Sequence, residues 1–161
     1  AWNANPGNPA LANAVVAAIN GVVDSQIRSQ PNGAGLKYVV IVGGDQIIPF
    51  ARLDDFTITS ANESSYADTF AQGTDLFSSL NLSNMLSDDP YGATTPVPYL
   101  TRQLYIPNLS VGRLVETPED IVGTLNRFVD PTINGKLNPS TSLTTGYDFL
   151  YDSSTTINGT S

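Results

Sequence analysis

The stretch "YVVIV", residues 38–42, constrains this chain most, because it is an unbroken apolar run in which four of the five residues are β-branched. Such a run predicts a central parallel strand covered on both faces. It ends in Gly43-Gly44-Asp45, and loops at the carboxyl ends of parallel strands are where α/β proteins place ligands and catalysts. Two consecutive glycines let the backbone take positive φ or pass close to a neighbouring strand. Asp45 is placed to accept hydrogen bonds from amides that the ended strand leaves unpaired. A phosphate loop would need a helix opening from the turn. Here Gln46-Ile47-Ile48-Pro49-Phe50 reads as extended chain, Pro49 disfavours a helix, and neither GxGxxG nor GxxxxGK[ST] occurs. The turn is therefore predicted to redirect the backbone and to hold no ligand.

The surrounding pattern is that of an α/β domain. Residues 1–8 are rich in Asn, Gly and Pro and read as a frayed end. From Pro9 to about Ser29, Leu11, Val15, Val16, Ile19, Val22, Val23 and Ile27 recur at helical spacing, with Pro9 suited to a first turn. A turn cluster at 30–35 leads into a strand at 37–42. The stretch from about 50 to 105 lacks sustained periodicity and reads as a long irregular insertion. Within it, Tyr66, Phe70, Leu76, Phe77, Leu80, Leu82 and Met85 allow short helices, and "TTPVP" at 94–98 reads as extended. Regularity returns at "NLSVGRL", a strand over 108–114. In "ETPEDIVGTLNRFV", Thr117 is placed as N-cap and Pro118 at the first helical position, with Glu119 and Asp120 favouring the helix dipole. Ile121, Val122, Leu125, Phe128 and Val129 form the expected buried stripe of that helix. A third strand is predicted within 141–150, completing a right-handed βαβ unit. The expected fold class is α/β with a small, mostly parallel sheet, and 161 residues suit a single domain.

Composition removes several functions. There is no Cys, so disulfides, thiolate nucleophiles and zinc–thiolate sites are excluded, and there is no His to complete a Ser-His or Cys-His dyad. Seven Lys and Arg against fifteen Asp and Glu give a net charge of −8, which leaves no basic patch for nucleic acid or anionic lipid. No apolar run is long enough to span a membrane. The chain opens with Ala1-Trp2 and lacks a signal-peptide pattern, so it reads as a piece of a longer polypeptide. Abundant Asn, Ser, Thr and Gly with few Lys suits an exported bacterial protein, extracellular or on the cell surface. Four Asn-x-Ser/Thr sequons, at Asn62, Asn81, Asn108 and Asn158, are expected by chance in so Asn-rich a chain.

Paired carboxylates lie in predicted loops at Asp54-Asp55 and in Ser87-Asp88-Asp89-Pro90. Clustered oxygens suit hard cations, which makes Asp88 and Asp89 candidate calcium ligands. The DxDxDG spacing is missing, however, and Asx turns use the same residues. Arg113, at a strand end before an acidic stretch, is read as one half of a structural ion pair. Asp148, after Gly146-Tyr147, is a lone carboxylate with no partner nominated, and no Asp/Glu pair is singled out for glycoside hydrolysis. No catalytic or cofactor-binding residue is assigned.

"YVVIVGGDQIIPFAR", then "LSDDPYG", "YIPNLSVGRLVETPEDIVGTLNRF" and "TTGYDFL" together resemble the gingipain-like (C25-type) cysteine peptidases of the caspase-like fold, over roughly residues 36–152. "SVGRL" with its helix is the most specific part. The resemblance implies a three-layer α/β/α sandwich and an exported or cell-surface bacterial protein. The family's catalytic His and Cys belong to the second half of its domain, so the resemblance covers only the non-catalytic first subdomain. Asn108 stands where the family often has Asp, and the 50–105 stretch is longer than the family's link. The implied partner is a catalytic subdomain downstream in the same polypeptide. Two other readings stay open: a catalytically dead surface interaction or adhesion module on the same scaffold, and a flavodoxin-like nucleotide- or flavin-binding domain by fold analogy.

Overall fold

The computed structural model describes residues 2–5, 7–25, 29, 35–57, 62–93, 95–115 and 117–130. The chain divides into two compact units, residues 1–117 and 118–161.

The first unit opens with a 3-10 turn, Trp2–Ala4. Trp2 is buried although composition suggested a frayed end. Helix α1, Pro9–Val23, starts where its chemistry predicts: Pro occupies the first turn and the Asn8 side chain accepts from the amides of Ala10 and Leu11. It stops short of Ser29, and Ile27 falls outside the described residues. Strand β1, Tyr38–Val42, follows.

The stretch read as an irregular insertion is built from short elements. Strand β2 (Ala51–Asp54) leads to a 3-10 segment (Glu63–Thr69), helix α2 (Asp75–Asn81), strand β3 (Asn84–Ser87) and the single helical turn α3 (Asp89–Gly92). Strands β4 (Val97–Tyr99) and β5 (Arg102–Leu104) form a hairpin, and β6 runs Ser110–Leu114. Strands of three or four residues are too short to show a period of two, so the sequence pattern marked only the start of β4, within the extended stretch 94–98.

Among the described residues the strands form three two-stranded sheets: β1 with β6, β2 with β3, and β4 with β5. Only β1–β6 is parallel; its register pairs Tyr38 with Ser110, Val40 with Gly112 and Val42 with Leu114. The expected mostly parallel sheet is thus one parallel pair beside two antiparallel pairs. Among the described residues the architecture is mixed α/β with small sheets and no barrel.

The core gathers on one side of β1. Val16 of α1, Ile41, Ala51 and Tyr91 are buried together, with Ile19, Val39, Ile48, Leu53 and Val111 packed around them. Gly92 of α3 lies so close to β6 that a Cβ there would meet Val111 Cγ2 at 2.5 Å and the Leu109 carbonyl at 2.7 Å. The opposite side of β1 is bare: Tyr38, Val40 and Val42 are 69%, 60% and 51% exposed. This corrects the expectation of a strand covered on both faces. A β-branched run records what a strand can tolerate, while coverage depends on the elements packed against it.

In the second unit the described residues form helix α4, Pro118–Val129, beginning at Pro118 with Glu119 and Asp120 in its first turn and Arg127 in its last. The charges complement the dipole at both ends. Its apolar residues Val122, Leu125, Phe128 and Val129 are exposed, and no residue of the helix is buried, so the expected buried stripe is uncovered. The third strand expected within 141–150 lies outside the described residues.

Candidate functional site

The loop closing β1 is the natural place to look for chemistry. Gly43 takes φ +128°, a conformation side-chain-bearing residues rarely adopt, and donates its N–H to the Leu114 carbonyl at 2.9 Å. Positive φ falls on Gly43 and not on Gly44. The amides of Ile47 and Ile48 both donate to the Gly44 carbonyl, at 3.0 and 3.1 Å. Residues 45–47 are therefore a hydrogen-bonded turn and not the extended chain read from Pro49. A proline bars its own amide from a ladder but does not prevent a turn four residues earlier.

Asp45 accepts from the Phe50 amide at 2.8 Å, the capping role its residue type suggested. It also forms a buried, bidentate ion pair with Arg52, Nη1 to Oδ1 and Nη2 to Oδ2 at 2.5 Å each. Arg52 Nη1 further donates to the Phe50 carbonyl and Nε to Ser79 Oγ, at 2.6 and 3.0 Å. Ser79 Oγ in turn donates to the Asp75 carbonyl. Burial, and after it the negative charge of Asp45, raises the Asp75 carboxyl above its ordinary value, with Arg52 opposing. The Arg52 backbone is fixed as firmly as its side chain: its N–H donates to Asn13 Oδ1 and its carbonyl accepts from Asn13 Nδ2, at 2.8 and 2.7 Å.

A second arginine braces the same loop. Arg113 of β6 forks onto Asp88, Nε to Oδ2 at 2.8 Å and Nη2 to Oδ1 at 2.5 Å. Its Nη1 donates to the carbonyls of Gly43 and Ile48, both at 2.8 Å, and its guanidinium lies 4.1 Å from the centre of the Phe50 ring. The Tyr91 hydroxyl donates to the Pro49 carbonyl at 2.6 Å, and burial pushes its pKa up to about 12. Planar, five-donor guanidinium groups suit such combined carboxylate and carbonyl recognition.

The structural ion pair expected of Arg113 is present, and its partner is Asp88, one of the two candidate calcium ligands. Both Asp88 oxygens are occupied by a cation from the chain itself, and Asp89 is exposed at the start of α3. Among the described residues no three acidic, His or Cys side chains converge as a metal site would need. Asp54 is exposed on β2. Asp55 accepts from the Thr57 amide and hydroxyl and from the Glu63 amide, the turn chemistry expected of it. Asp148 lies outside the described residues. The pattern left Arg52, Ser79, Asn13 and Tyr91 unflagged. The only available signal was an acid and an arginine seven residues apart across Pro49.

Chemically, this arrangement holds a loop in shape. The amides of Gly43, Ile47, Ile48 and Phe50 are donated within the protein, so they do not form a cradle for phosphate. Ser79 is fully buried, with Arg52 and the Asp75 carbonyl as neighbours, neither of which is a base. No protein-family model, curated protein or solved structure matches the chain.

Proposed function

We propose that this chain is the non-catalytic first subdomain of a gingipain-like, caspase-like peptidase of an exported bacterial protein. In this reading it supports a catalytic half encoded downstream, and the complete domain is a three-layer α/β/α sandwich. The observation that carries the reading is the uncovered apolar face of a parallel strand pair, Tyr38, Val40 and Val42. Parallel sheets are otherwise covered on both faces, so such a pair suits one part of a larger sheet. The "SVGRL" strand agrees, since its arginine is used to brace the loop that ends the neighbouring parallel strand. The lack of His and Cys places any dyad outside these residues.

Expression of the chain together with several hundred following residues of its parent gene tests this. A His and a Cys after successive downstream strands, with peptide cleavage that iodoacetamide abolishes, would support the reading. A downstream sequence without that pair, giving a folded but inactive product, would favour the interaction module, which the same bare face also suits. The isolated chain is expected to cleave no peptide. Flavin or nucleotide should leave its melting temperature unchanged, because stabilisation by a ligand grows only as RT ln(1 + [L]/Kd).

A further inference from the structure

Arg102 stands apart from the two bracing arginines. It sits on β5 beside a cleft of the first unit that is also lined by Phe56, Asp54, Asn84, Met85 and Tyr105. Its guanidinium carbon lies 3.9 Å from the centre of the Phe56 ring. Its Nε is sealed from solvent and has no hydrogen-bond partner, and it forms no ion pair among the described residues, unlike Arg52 and Arg113. In a chain with fifteen carboxylates and seven basic residues, a half-buried arginine that pairs with no acid among the described residues, Asp54 of the same cleft included, is unexpected. A desolvated donor left unmade is costly, and such groups call for an explanation in function or in a bound partner. The ring of Phe56 holds the guanidinium plane in place, which lowers the ordering cost when a planar anion docks.

We propose that this cleft is a carboxylate-binding site in which Nη1 and Nη2 of Arg102 fork onto the anion, its Nε being sealed from solvent, and Phe56 and Met85 receive an adjacent apolar side chain. The ligand class is a peptide carboxylate, from an acidic side chain or from a free chain end. The site lies within the first unit and is independent of the peptidase reading.

The full 161-residue chain, labelled with nitrogen-15, can be titrated with three blocked dipeptides: acetyl-Leu-Glu-amide, acetyl-Leu-Ala with a free carboxylate, and acetyl-Leu-Gln-amide. One or both acids should move the Arg102 Nε–H resonance and the Phe56 and Tyr105 amides saturably, and the uncharged peptide should not. Whichever acid binds identifies the source of the carboxylate. Arg102→Gln should weaken binding at least about tenfold, and Arg102→Lys nearly as much, because a point charge does not fork. Lys37→Gln should leave binding unchanged. Phe56→Leu, which keeps the charge, should weaken it several-fold and carries the test if Arg102→Gln fails to fold. Equal binding of the uncharged peptide overturns the proposal. So does an Arg102 Nε–H that no probe moves up to about 10 mM, the result expected if the cleft holds only water.

Discussion

The two faces of β1 have the same chemistry and opposite fates. On one, Val39 and Ile41 pack with α1, β2 and Tyr91. On the other, Tyr38, Val40 and Val42 meet solvent. The residues alternate along a single strand, so nothing in their own character separates them. Apolarity gives a strand permission to be buried, and the neighbouring elements decide which half of that permission is used.

Four single variants and one double variant test this contrast, beginning with the most disruptive. Ile41→Asp places an ionised carboxylate in the core and should leave no cooperative unfolding transition in circular dichroism, because that cost exceeds the stability of a small domain. A folded variant would show that the inner face is not the core. Arg52→Ala strands the buried Asp45 carboxylate in the turn that follows β1 and should cost about 3–5 kcal/mol in a denaturant melt. Adding Asp45→Asn should recover part of that loss, and strict additivity would mean the pair is not coupled.

Tyr91→Phe removes the hydrogen bond to the Pro49 carbonyl and should cost about 1–2 kcal/mol near neutral pH. The folded-state pKa of Tyr91 is raised from 10.0 to about 12. Its stabilising contribution is therefore complete below pH 10 and is lost as pH climbs through about 12. The gap in stability between wild type and Tyr91→Phe should narrow over that window, and a gap that widens would contradict a buried neutral phenol. Smallest is Val40→Asp, one residue from the most damaging change. On an exposed face it should cost no more than about 1 kcal/mol, the span of strand propensity. Unfolding by Val40→Asp would mean that the outer face is covered in this chain and would remove the contrast altogether.

The elements that the sequence made legible are those with length or chemical punctuation. Pro9 and the Pro118 start mark two helices, and the apolar run at 38–42 and the strand read at 108–114 mark the parallel pair. The β2–β3 and β4–β5 pairs were hidden because strands of three or four residues carry almost no periodic signal, and because Pro98 and Arg102 are unremarkable until paired. At the loop, the acceptor role of Asp45 was readable from residue type. Its partner Arg52 was not, since the chain must first fold back through the turn at 45–47 to bring the two together. Arg102 was beyond reach altogether. Its aromatic neighbour Phe56 is remote in sequence, and no spacing rule joins a hairpin to the strand-end segment of another sheet.

The two braces on the β1 loop differ in how much chain each must close. Asp45 and Arg52 are 7 residues apart, whereas Arg113 reaches back 70 residues to Gly43, 65 to Ile48 and 25 to Asp88. Closing a short loop costs less entropy and happens sooner than bringing distant segments together. The Asp45–Arg52 clasp is thus available to the chain before any sheet exists, as a local template for the turn. The Arg113 brace assembles only when β6 has docked beside β1. The Phe50 amide, held by Asp45, becomes protected from exchange with the first event, and the Gly43 amide, held by Leu114, waits for the second.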